Sequence, residues 1–130
     1  IEFDTHWGEM DALGHINHTR YLVWCETARL SLFERVGLIC RNDSIAGPIL
    51  ATASARYLSP VSHPARIVIK AWVSAIGNTS FVVDYQILQK SETQNVVATC
   101  QTVVVVYDYT RGVKRPLSDS LREKLQALMP

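Results

Sequence analysis

An aspartate, Asp11, stands in the run Trp7-Gly8-Glu9-Met10-Asp11-Ala12-Leu13-Gly14-His15-Ile16-Asn17-His18. The run leaves a short strand, turns at glycine and enters a long amphipathic helix. A helix start carries N–H groups with no partner inside the helix and a partial positive charge. It can hold a carbonyl whose oxygen becomes negative during reaction. A carboxylate nearby can attack the carbonyl carbon, or take a proton from a water that attacks it. The pair suits hydrolysis of an activated acyl group.

Other chemistries fit these residues less well. Glu9 reads as a solvated or hydrogen-bonded turn residue. Asp11, His15 and His18 are metal-ligating types, but their spacing crosses a turn into a helix start and no fourth ligand is evident, so no metal is expected. No Gly-x-Ser-x-Gly elbow supports a serine triad. Cys25 falls in an apolar helical stripe and is a poor nucleophile. Glu26 has Arg29 three residues on, which predicts a surface ion pair.

These groups need elements to position them. Ile1 to His6 reads as a short strand. Asn17 is placed to cap a helix from about His18 to Val36, with Tyr21, Cys25, Ala28 and Leu32 recurring at three- and four-residue steps. Leu22, Trp24, Leu30 and Phe33 widen that stripe, which predicts burial on more than one side. Gly37 ends the helix. Residues 41–47 read as a polar loop.

Strands follow over about 49–58, 65–75, 80–89 and 96–109, with turns at Gly77-Asn78-Thr79 and at 91–94. A short closing helix is expected from Ser118 to Leu128, capped by Ser118 or Ser120; Ser120 and Glu123 fit a capping box. Hairpin-like connections imply an antiparallel sheet. The fold class is therefore α+β, a curved antiparallel sheet wrapped around one long helix. The valine-rich last strand is expected at an open edge, where it would pair with a second subunit.

Bulk composition narrows the function classes. The chain has 130 residues, 48% of them hydrophobic, enough for one core. A net charge of +1 gives no argument for nucleic acid or an anionic membrane surface. No apolar run reaches membrane-spanning length, and no signal peptide is visible. Cys25, Cys40 and Cys100, an odd set without close spacing, argue against a disulfide framework and for a reduced cytoplasmic setting.

With its motifs and element order in view, the chain resembles the hotdog-fold acyl-CoA thioesterases of the 4-hydroxybenzoyl-CoA thioesterase-like family. The specific likeness runs from Trp7 through Asp11 and His18 to Tyr21 and continues in Glu26-Thr27-Ala28-Arg29. Weaker matches are Arg56-Tyr57-Leu58-Ser59-Pro60 and Gly77-Asn78-Thr79-Ser80-Phe81. The resemblance implies a single hotdog thioesterase domain over residues 1–130. It implies homodimers joined edge to edge, often doubled to a homotetramer, with active sites at the subunit interface.

The family's catalytic aspartate falls on Asp11, and its carbonyl-polarising amide on the backbone N–H of His18. Gly14, His15 and Asn17 flank that amide and are expected in the substrate site. Asn78, Thr79 and Ser80 sit where family members often contact CoA. Here the chain departs from the family enzyme acting on hydroxybenzoyl-CoA, which carries basic residues at that turn. Arg56, Arg66, Arg111, Lys114 and Arg115 are the other candidates for the phosphates.

The implied reaction is hydrolysis of an acyl-CoA to a free acid and CoA. Asp11 serves as nucleophile or general base, and no cofactor is needed. The alternatives are hydrolysis of acyl groups on acyl carrier protein and a non-catalytic acyl-CoA-binding module. A hotdog dehydratase is disfavoured, since the His-Phe-Pro stretch of that branch is absent.

Overall fold

A computed structural model of the protein describes residues 1–38 and 46–130. Its strands are β1 (Glu2–Asp4), β2 (Ala46–Tyr57), β3 (Arg66–Ile76), β4 (Ser80–Lys90), β5 (Asn95–Asp108) and β6 (Val113–Lys114). Its α-helices are α1 (His18–Val36) and α2 (Asp119–Gln126), and Trp7–Glu9 form one 3-10 turn.

Local chemistry sets the helix ends. Asn17 accepts a hydrogen bond from the Thr19 N–H through its side chain, satisfying a donor the helix cannot. Gly37 ends α1 at φ 74°, in the left-handed region that glycine adopts without steric cost. Ser118 caps α2 by accepting from the Leu121 N–H, so the Ser120–Glu123 capping box is not used. Of the loop expected over 41–47, Ala46 and Gly47 already belong to β2, and the remainder lies outside the described residues. Cys40 lies outside them too.

All strands are antiparallel, in the order β1-β3-β4-β5-β2, with β6 beside the end of β5. Alternation on β4 sends Phe81, Val83, Tyr85 and Ile87 inward toward α1, each at most 1% exposed. Ile67, Ile69 and Val73 of β3 and Ala98, Cys100 and Val104 of β5 extend the same face. Extra residues at Ala51, Ser74 and Val97 shift the register and bend β2, β3 and β5. The bent sheet wraps α1, which buries Tyr21, Trp24, Cys25, Ala28, Leu32, Phe33 and Val36. This is the hotdog arrangement.

Three expectations about packing need correction. The valine-rich strand β5 is not an edge; it lies between β4 and β2, and Val104, Val105 and Val106 are all buried. The long open edge is β2, where Ile49 to Ser54 are exposed. β2 does not form a hairpin with β3, because residues 58–65 carry the chain to the other side of the sheet. The apolar stripe of α1 is also narrower than its sequence suggests: Leu30 is 53% exposed.

Candidate active site

The turn carrying Asp11 is closed on itself. The Asp11 N–H donates to the His15 carbonyl at 2.9 Å, and the Gly14 N–H donates to the Asp11 carbonyl at 3.1 Å. The Leu13 N–H donates to Asp11 Oδ1 at 2.9 Å. Gly14, at φ 80°, supplies the left-handed residue the turn requires. One carboxylate oxygen is thereby fixed to the turn.

Contacts from outside hold the turn in place. The Ile16 N–H donates to the Val61 carbonyl at 2.7 Å, and the Ser62 hydroxyl to the Gly14 carbonyl at 2.9 Å. The Asn17 N–H donates to the Glu9 carbonyl at 2.9 Å. Glu9 itself is engaged through both oxygens, accepting from the His6 N–H at 2.7 Å and from Trp24 Nε1 at 2.8 Å. It is the hydrogen-bonded turn residue expected from the sequence.

Beyond the turn, Asp11, His15, Ile16 and His18 line one cleft of about 350 Å³. Tyr21 of α1, Tyr57 at the end of β2, and Leu58, Ser59 and Pro60 just after it form its other wall. Within the first turn of α1 the Thr19 N–H goes to Asn17 Oδ1 and the Arg20 N–H to the Asn17 carbonyl. Among the described residues no protein acceptor pairs with the His18 N–H. The cleft therefore brings a partly exposed aspartate beside the first residue of α1. Also among the described residues, no three His, Cys, Asp or Glu side chains converge to hold a metal ion.

Electrostatics of the cleft wall follow from burial. Burial pushes the Tyr21 phenol up, and the neighbouring Tyr57 acts in the same direction. Burial also raises Tyr57, with smaller contributions from Cys100 and Cys25. Both phenols therefore stay protonated across neutral pH, and Tyr57 donates to the His18 carbonyl. Cys25 is pushed well up by its hydrogen bond with Cys100 and by burial, which removes it as a thiolate nucleophile.

A larger depression of about 510 Å³ lies on the outer face of the sheet, among Arg56, Trp72, Asp84 and Gln101. Its acid is occupied: Gln101 Nε2 donates to Asp84 Oδ1 at 2.8 Å. No helix start opens onto it. Size alone does not select the reactive site.

His15 and His18 line the cleft with Asp11, whereas Gly14 and Asn17 belong to the same segment but are not among the lining residues. Asn78, Thr79 and Ser80 do not join them. The Asn78 carbonyl accepts from the Leu117 N–H, the Thr79 carbonyl from the Val106 N–H of β5, and the Ser80 carbonyl from the Gly77 N–H. Ser80 pairs with Val105, whereas Tyr57 at the cleft pairs with Ala98. Seven residues of β5 separate these rows, roughly 23 Å at strand rise.

One sequence reading changes. Arg29 does not pair with Glu26; it is 8% exposed and donates to the Tyr85 hydroxyl at 3.2 Å. That hydroxyl is also 2.8 Å from Thr102 Oγ1. Arg66, a candidate for phosphate, is paired within the chain with Asp4 at 3.2 Å and Glu2 at 3.3 Å. Sequence reasoning gave Tyr57 no role, although it lies in the second stretch of family likeness.

Known proteins match the chain over most of its length. The model of the thioesterase-like superfamily matches residues 5–125. A Bacillus subtilis (strain 168) protein, provisionally named an acyl-CoA thioesterase, is 22% identical over 107 residues, covering 80% of this chain and 77% of its own. Among solved structures, a Pseudomonas aeruginosa protein provisionally called a thioesterase superposes with a TM-score of 0.85 at 28% identity, over 95% of this chain and 94% of that one. The 1,4-dihydroxy-2-naphthoyl-CoA thioesterase of Synechocystis gives 0.86 at 21% identity, over 98% and 95%.

Proposed function

The chain belongs to the thioesterase-like superfamily and is a thioester hydrolase, and we propose that it hydrolyses acyl-CoA thioesters in the cleft between Asp11 and the first turn of α1. The observation that carries this reading is the joint lining of one cleft by Asp11 and His18, with no protein acceptor on the His18 N–H among the described residues. The acyl carbonyl oxygen would accept from that N–H, and negative charge developing there is stabilised by the helix start.

Asp11 then acts in one of two ways. As general base it takes a proton from a water whose oxygen attacks the carbonyl carbon. As nucleophile it attacks through its free oxygen and forms a mixed anhydride that water opens. In both, the C–S bond breaks, the thiolate of CoA leaves and takes up a proton, and the free acid is released. Neither route calls for a cofactor.

The proposal includes a homodimer formed along the free edge of β2. Antiparallel pairing of two β2 strands sets the Ala46 end of one beside the Tyr57 end of the other. The Asn78–Ser80 turn then lies about three inter-strand spacings, roughly 14 Å, from the partner's cleft. That is nearer than the roughly 23 Å separating the two within one chain. A shared site is thus the arrangement in which Asn78, Thr79 and Ser80 can reach CoA. A reduced, cytoplasmic setting is part of the same reading, supported by the free thiols of Cys25 and Cys100.

The test is thiol release from a panel of short, long and aromatic acyl-CoAs, with Asp11→Asn beside the wild type. Release that disappears in the variant supports the proposal. Tight binding without release would favour a non-catalytic acyl-CoA-binding module. Release from acyl carrier protein thioesters alone would move the substrate to that class.

A further inference from the structure

The hydroxyl of Tyr57, the last residue of β2, donates to the backbone carbonyl of His18 at 2.8 Å. Its ring stands edge-on to the His18 imidazole, centroids 6.2 Å apart, and edge-on to Tyr21 at 5.1 Å. Tyr57 is 45% exposed and lines the cleft beside Asp11.

The His18 carbonyl does not need this bond for satisfaction. His18 is the first residue of α1, so its carbonyl already accepts within the helix from the residue four positions on. A second donor at a half-exposed place removes no buried orphan. What it does is restrain the residue whose N–H has no protein acceptor. A helix's first turn is its least constrained part, since its N–H groups are not held from within.

Resting on the function proposed above, we infer that Tyr57 is a positioning residue for thioester hydrolysis, holding the first turn of α1 from the sheet so that the His18 N–H keeps its direction toward the reacting carbonyl. Tyr57 acts through His18 and takes no part in bond making or proton transfer. A donor that drifts from the oxyanion position loses part of an effect worth about 100-fold in rate or more, so the loss from loosening it is about tenfold.

Tyr57→Phe keeps the ring and its edge contacts and deletes only the donor. Steady-state kinetics would use benzoyl-CoA and hexanoyl-CoA, with the His18 backbone amide followed by nitrogen–proton NMR. The expected result is a kcat lowered about tenfold, a KM within about twofold of wild type, an unchanged melting temperature and a displaced His18 amide resonance. Unchanged kcat in Tyr57→Phe, beside an active wild type, overturns the inference and leaves Tyr57 as a packing residue. A raised KM with unchanged kcat also overturns it, in favour of direct substrate contact. A wild type inactive on every acyl thioester overturns the functional reading itself, an outcome distinct from the other two.

Discussion

Trp24 Nε1 donates to Glu9 Oε2 at 2.8 Å, joining the second turn of α1 to the segment that leads into Asp11. The other Glu9 oxygen accepts from the His6 N–H, so one carboxylate ties the segment that follows β1 to the helix. Trp24 is buried and packs edge-on against Phe3 of β1. The acid and the amide proposed to act on the substrate therefore share one anchor.

Trp24→Phe tests that anchor. It preserves most of the apolar contact and leaves Glu9 Oε2 without its donor. Stability should fall by about 1–3 kcal/mol, read as a lower urea midpoint. Turnover should fall as well, because the turn loses its fixed relation to α1. Unaltered stability would mean that solvent replaces the indole without cost.

Asp11→Asn should lower kcat by about 100-fold or more, the scale of a lost general base or nucleophile. Circular dichroism and the melting temperature should stay close to wild type, because an asparagine side-chain oxygen can still accept from the Leu13 N–H. Near-normal kcat would remove Asp11 from the reaction.

Ala53→Lys tests the assembly. The residue is exposed on the open edge of β2, and lysine on an edge opposes strand addition. The variant should sediment as a monomer with unchanged helical content and little thioesterase activity. A variant that still dimerises would place the contact elsewhere.

Alkaline pH should destabilise the fold in a defined window. Burial raises the Tyr21 and Tyr85 phenols above their ordinary value near 10. The folded state then binds more protons than the unfolded state once pH exceeds that value. The stabilisation these phenols give is complete below about pH 10 and is lost as pH rises from there through their folded values. The urea midpoint should fall over that range, and Tyr21→Phe should make the fall shallower.

Much of the fold was legible because it is written locally. Asn17, the apolar positions of α1 and Gly37 mark a helix that runs over the expected residues. On β4 the alternate residues Phe81, Val83, Tyr85 and Ile87 are the buried ones. The place of β2 was not legible, since strand order is a long-range property and residues 58–65 read equally well as a hairpin connection. For the same reason β5 was mistaken for an edge: a strand buried between two neighbours and a strand awaiting a partner can be equally rich in valine.

The site was legible in part. Asp11, Gly14, His15, Asn17 and His18 lie within one short run, so sequence proximity was enough to gather them. Tyr57 enters only when β2 crosses to the cleft, which no local signal announces. Arg29 misled because a charged residue at helical spacing from an acid reads as surface, whereas the sheet closes over it and supplies Tyr85 as partner.

The division of the candidate residues between the two ends of the sheet has a genetic consequence. If each site takes Asp11 from one chain and the Asn78–Ser80 turn from its neighbour, a chain disabled at Asp11 and another disabled at the turn are not equally lost. Each is inactive when pure. Mixed, they form heterodimers in which one site unites both lesions and the other unites both intact halves. Two defective alleles would then rescue each other, with one working site in each mixed pair.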